Sequence, residues 1–74
     1  MEEKILNIAR NVFGDEITIS SKAGDPINWD SLGQITLFMI LESELGIKFI
    51  PEEIIENNSI KSIVSLIVNK QKNQ

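Results

Sequence analysis

From Ser31 to Leu45 the chain reads as one uninterrupted helix, with Asp30 immediately before it and Gly46 immediately after. Aspartate is a preferred N-cap because its carboxylate accepts free N–H groups of the first turn, and glycine suits the left-handed residue just past a helix end. Such a helix is about 22 Å long. In a chain of 74 residues, everything else has to pack around it. At ~100° per residue, Leu37, Phe38, Leu41 and Leu45 fall on one arc of this helix, and Leu32, Ile35 and Met39 on another. One arc can fill a core. The other predicts an apolar stripe edged by Thr36, Ser43 and Glu42, either under a neighbouring loop or on the surface where a partner helix could meet it. A thin bundle with both arcs in the core is the alternative.

The flanking segments predict three more helices. Between Glu2 and Phe13, Ile5, Ala9 and Val12 recur at helical spacing with Leu6 and Phe13 beside them, and Gly14 follows as a stop. Pro51-Glu52-Glu53 opens a short acidic helix to about Glu56, since proline fits the first helical position and carboxylates suit the positive end of the dipole. Asn58-Ser59 offers the next cap, and Ile60, Ile63, Val64 and Ile67 continue a stripe until a polar tail from Asn69 to Gln74, which is expected to fray. Residues 14 to 30 fit no regular period and predict a long loop, anchored by Ile17, Ile19, Ile27 and Trp29. The segment Gly46 to Ile50 alternates weakly like a strand, but with no partner strand it is expected to be a packed linker. The fold class is therefore all-α: one domain over residues 1–74, a small four-helix bundle with a long first loop and a short third helix.

Composition narrows the chemistry. The chain has no cysteine and no histidine, which removes disulfides, thiolate nucleophiles, cysteine-ligated zinc and the commonest general base and metal ligand. No metal site is expected. Eleven acids against seven bases leave a net charge of −4, which opposes phosphate backbones and favours basic protein partners over nucleic acid. Residues 30 to 56 carry six acids and one base, so the middle of the chain is the acidic surface. The opening Met-Glu-Glu-Lys lacks a signal-peptide pattern, and the longest fully apolar run, Leu37 to Leu41, is far short of a bilayer span. A cytoplasmic chain without membrane insertion is the expectation. Glu42 with Glu44, and Glu52 with Glu53, are the candidate carboxylate pairs for acid–base work, but neighbours at these spacings diverge around a helix and read as solvated charge.

Ser31 remains. Placed one residue after an Asp cap, it sits where unpaired N–H groups and the positive dipole end favour an anion such as phosphate, although an Asp-Ser pair also serves capping alone. A serine nucleophile needs a base, and none is offered, so the chain is not expected to be an enzyme.

In order and spacing these features resemble the acyl carrier proteins of the phosphopantetheine-binding carrier family. The resemblance covers nearly the whole chain. It rests on Trp29-Asp30-Ser31-Leu32-Gly33, then Leu41-Glu42-Ser43-Glu44-Leu45-Gly46-Ile47-Lys48-Phe49, then Pro51-Glu52-Glu53 and a last helix from Ser59. It implies a bundle of the acyl-carrier type, with 4′-phosphopantetheine on Ser31 through a phosphodiester, flanked by Asp30 and Leu32. The arm would bring a thiol to a chain that has none, hold acyl groups as thioesters, and present them to other enzymes in fatty-acid-like or specialised acyl biosynthesis.

The implied partners are a phosphopantetheinyl transferase, an acyl-loading ligase or transferase, and ketosynthase-type or acyltransferase enzymes, met by a monomer. By the same resemblance Leu32, Ile35, Met39, Glu42, Glu52 and Glu53 would form the partner face, and Leu37, Leu41, Phe49, Ile54 and Ile63 would line the acyl pocket. Bulky residues there imply a short or polar cargo, or a long chain left outside. Gly33 and Thr36 stand where fatty-acid carriers usually have acids, which makes this partner face less acidic. Gly33 could admit a modifying enzyme or the arm, or be neutral. Trp29 is expected to pack the loop onto the bundle. An aminoacyl or peptidyl carrier is an alternative, although Asn28-Trp29 replaces the Gly-Gly common in that kind. A helical adaptor without a prosthetic group, binding through Leu32, Ile35 and Met39, is another.

Overall fold

The computed structural model describes residues 1–72 and is all-helical, with α1 (Glu2–Phe13), α2 (Ser31–Leu45), α3 (Pro51–Glu56) and α4 (Ile60–Lys72). Among the described residues there is no strand, only two isolated bridges from Lys22, to Asp25 and to Ser59. No described helix is long and apolar enough to cross a membrane.

Each boundary has a local cause. α1 carries Glu2 and Glu3 in its first turn and Arg10 in its last, and ends at Gly14, whose φ of 122° belongs to glycine. In α2 the Asp30 carboxylate accepts the Gly33 N–H at 2.8 Å, and Gly46 closes the helix in the left-handed conformation (φ 66°, ψ 35°) while donating to the Glu42 carbonyl. α3 begins with Pro51 at its first position, and the Glu53 carboxylate reaches back to the Ile50 N–H at 3.0 Å. The Ser59 hydroxyl accepts the Ser62 N–H at 3.2 Å and caps α4.

The core is built from Ile5, Leu6, Ile8, Ala9 and Phe13 of α1, Leu37, Phe38 and Leu41 of α2, and Ile60, Ile63 and Ile67 of α4. The linker adds Ile47 and Phe49, which alternate with exposed Lys48 and Ile50. Phe49 meets Phe38 edge to face at 4.8 Å, and its N–H donates to the Glu42 carboxylate at 2.9 Å. The linker is thus packed without a partner strand.

Two expectations about the loop and the tail are corrected. Ile17 and Trp29 anchor the long loop and Ile19 packs at the core's edge, but Ile27 is 92% exposed. It occupies a central position of a turn closed by the Trp29 N–H on the Pro26 carbonyl at 3.0 Å, and the Asn28 side chain, bonded to the Phe13 carbonyl at 3.0 Å, does the anchoring instead. The tail does not fray from Asn69: α4 continues to Lys72, while Asn73 and Gln74 lie outside the described residues. The reason is Lys70, whose ammonium is 2.9 Å from the Glu53 carboxylate and lies over the Phe49 ring at 5.5 Å. A lysine in the last turn also complements the helix dipole.

Partial burial pushes the Glu53 carboxyl up, but bonds from the Ile50 N–H and the Lys70 ammonium outweigh it and hold the group below its ordinary value of 4.5. A carboxyl depressed by folding stabilises the fold fully above its unfolded value, and that contribution fades as pH falls through the lower folded value. Glu53→Gln is therefore expected to lower the melting temperature near neutral pH, with the difference from wild type vanishing as pH drops below the carboxylate range. Melts recorded across that window check it; a difference independent of pH would place the effect in packing rather than charge.

Candidate functional site

The start of α2 is where the candidate residues converge. Asp30 has an extended backbone (φ −104°, ψ −168°), its carboxylate is committed to the Gly33 N–H, and its carbonyl accepts the Gln34 N–H at 2.8 Å. Ser31 follows as the first helical residue and is exposed. Its hydroxyl therefore stands beside the positive end of a 15-residue helix.

Ser31 lies on the rim of an open cleft of about 420 Å³ between α2 and α3. Ile35 from α2 and Ile54 and Ile55 from α3 give it apolar walls, and Ala23, Asn58 and the buried Trp29 and Gln34 complete its lining. The loop is held there by pairing with the α3–α4 junction, the Ala23 N–H donating to the Asn58 carbonyl at 2.8 Å and the Ile60 N–H to the Ser21 carbonyl at 3.0 Å. A larger depression of about 620 Å³ under the loop does not include Ser31 and is edged by Glu16, Thr18, Ser20, Ser21 and Asp25.

Gln34 is the residue that the sequence reading missed. Buried on the core side of α2, its amide oxygen accepts the Trp29 indole N–H at 2.6 Å, and its amide nitrogen donates to the carbonyls of Ile54 and Asn57, both at 2.7 Å. Those carbonyls belong to the end of α3, where a helix has no internal donors left. The signal was present: Gln34 precedes Leu37, Phe38 and Leu41 by three, four and seven positions, so it is a polar residue on the core arc. Ile55 was missed too. It is 71% exposed and lines the cleft beside Ile54.

The stripe of α2 reaches the surface, with Leu32 73%, Ile35 49% and Met39 63% exposed, while the other arc is buried through Leu37, Phe38 and Leu41. The alternative with both arcs in the core does not hold. The acids divide. Glu52 is exposed, but Glu42 is half-buried against the linker N–H and Glu53 is tied to Lys70, so neither of these two is the freely solvated charge that spacing suggested. Of the five residues expected to line an acyl pocket, Ile54 alone faces the cleft. Leu37, Leu41 and Ile63 are fully buried and Phe49 is packed on Phe38.

Trp29 packs as expected, buried and stacked on Phe13 with ring centres 4.9 Å apart and planes 16° from parallel. Gly33 serves this packing. A Cβ there would lie 2.7 Å from the Phe13 ring and 3.0 Å from the Asn28 carbonyl oxygen, so the glycine admits the protein's own loop rather than an external molecule.

No known protein-family model matches the chain, and no solved structure matches it.

Gly33→Ala tests the local packing. Alanine gains up to about 1 kcal/mol in helix propensity, whereas forcing an extra carbon against a buried ring and a fixed carbonyl costs about 1 to 3 kcal/mol. The expected outcome is a lower urea midpoint with an unchanged slope; a raised midpoint would mean that the Phe13 ring yields without loss.

Proposed function

We propose that the chain is an acyl carrier with its attachment point at Ser31. The observation that carries this reading is the seat of that side chain: an exposed serine at the first position of a long helix, directly after a committed Asp cap, on the rim of an apolar cleft. The resemblance through Trp29-Asp30-Ser31-Leu32-Gly33 supports the same reading.

The residues present fit a phosphopantetheine arm. When bound, the arm would supply the thiol that a chain without cysteine lacks, and so carry an acyl group as a thioester. Ser31 contributes the attachment oxygen in reach of a modifying enzyme. The helix start favours a phosphodiester there by roughly 0.3 to 1 kcal/mol. Asp30 keeps its charge turned into the cap, bonded to Gly33, which limits repulsion of the phosphate. Ile35, Ile54 and Ile55 offer an apolar surface beside the tether.

Partners of this carrier are a phosphopantetheinyl transferase and acyl-loading and acyl-consuming enzymes. Leu32, Ile35 and Met39 supply an apolar contact, and Glu52 and Glu56, both exposed, supply the charge that steers a basic patch.

Incubating the protein with coenzyme A, magnesium and a phosphopantetheinyl transferase is expected to add one phosphopantetheine by mass and to create the chain's only titratable thiol. Ser31→Ala should fold normally, since no buried group is lost, and gain neither. If wild type stays unmodified with several transferases, or Ser31→Ala is still labelled, the carrier reading falls and the adaptor reading, resting on the exposed stripe, replaces it.

The docking face has its own test. Rim charges act mainly on association and apolar contacts on dissociation. Glu52→Lys should slow modification by a basic-faced transferase and weaken its salt dependence, whereas Met39→Ala should raise the dissociation rate. Unchanged kinetics in both would move the face elsewhere.

A further inference from the structure

We propose that Gln34 is a positioning residue that latches α3 to α2, so that a group tethered to Ser31 rests in the outer cleft and stays out of the core, which makes a short apolar acyl group the fitting cargo. The inference rests on the carrier reading of Ser31 and goes beyond it by assigning where the cargo lies and which side chain decides it.

Trp29 and Gln34 both line the cleft and are both buried, so together they form the boundary between cleft and interior. Behind them on the same arc of α2 stand Leu37 and Leu41. The boundary is bonded on both sides, by the indole N–H to the Gln34 oxygen and by the Gln34 nitrogen to the carbonyls of Ile54 and Asn57. A chain passing between α2 and α3 would have to part these bonds and leave the buried indole N–H and Gln34 amide, with two half-buried carbonyls, without their partners, the costly way to lose a hydrogen bond.

Nor does anything await it inside. Leu37, Leu41 and Ile63 have no exposed surface, and none of the described depressions reaches them. On the outer side the balance is reversed. Ile35 and Ile55 already expose apolar surface next to Ser31, so a short acyl group gains by covering them without breaking any bond. Because the cleft is open and its larger accessible apolar side chains beside Ser31 are confined to Ile35, Ile54 and Ile55, a longer chain leaves more of its length uncovered.

The test loads wild type and Gln34→Ala from butyryl- and dodecanoyl-coenzyme A with a phosphopantetheinyl transferase, confirms the adducts by mass, and follows the isoleucine and leucine methyl resonances against the unacylated holo form. In wild type both acyl groups are expected to shift Ile35, Ile54 and Ile55 and to leave Leu37, Leu41 and Ile63 in place. In Gln34→Ala the dodecanoyl form is expected to shift Leu37, Leu41 and Ile63 while the butyryl form does not. A merely structural glutamine would weaken the variant equally in every loaded form, with no dependence of core shifts on chain length, and that result overturns the latch. Core shifts in dodecanoyl-loaded wild type overturn it as well, and this arm decides even where the variant does not fold. Absence of any adduct overturns the carrier reading and the latch together; an adduct with core shifts overturns the latch alone.

Discussion

Everything around the cleft depends on one amide side chain. A six-residue helix such as α3 is too short to hold itself in water, because helix nucleation is unfavourable and only a few internal bonds follow it. Its start is held by Pro51 and the Glu53 carboxylate, and its end by Gln34, reaching across from α2 to the Ile54 and Asn57 carbonyls. The same amide takes the indole N–H of Trp29, and Trp29 lies on Phe13 at the end of α1. Loop, α1, α2 and α3 are thereby registered through a single residue. Burying an unpaired amide costs several times what a net hydrogen bond contributes, so the arrangement holds only because it is complete: among the described residues no buried side-chain nitrogen or oxygen lacks a partner.

This wiring explains why a serine at a loop end can be held in a defined place. Ser31 belongs to α2 rather than to the loop, and α2 is locked by its buried arc, by the Asp30 cap and by Gln34 three residues on. Gly33 removes the one side chain that would keep Phe13 and Asn28 from closing over this turn. The Ser31 hydroxyl is thus exposed while its backbone is held in place, a combination that suits the proposed modification by another protein.

The helices were legible because each is bounded by side chains with a physical meaning at its ends: Gly14, Asp30, Gly46, Pro51 and Ser59. The two apolar arcs of α2 could also be separated, but whether Leu32, Ile35 and Met39 lay in the core, under a loop or at the surface stayed open. What escaped were features decided by residues far apart in sequence. Lys70 looked like part of a polar tail, yet its ammonium reaches the Glu53 carboxylate of α3, a long-range pairing that no local pattern encodes. Ile27 looked like an anchor by hydrophobicity alone, yet the turn around it leaves the anchoring to Asn28. Gly33 read either as an opening to the outside or as neutral, and only the approach of Phe13 shows that it opens inward.

The pairing of Glu42 and Glu53 with interior donors changes how a partner would meet the surface. Acids in the middle of the chain suggested a broad negative face, but the Lys70 ammonium offsets the charge of Glu53, while Glu42, bonded to the Phe49 N–H, keeps its charge in a fixed, half-buried position. The exposed charge lies on residues such as Glu44, Glu52 and Glu56, while the exposed stripe of α2 keeps Leu32, Ile35 and Met39 together next to Ser31. Affinity for a partner would then come mostly from apolar contact, which resides in dissociation, and less from long-range attraction, which resides in association. Gly33 and Thr36 push the same way, since neither adds charge to the first turns of α2. For the proposed carrier, such a surface would select partners by shape more than by charge.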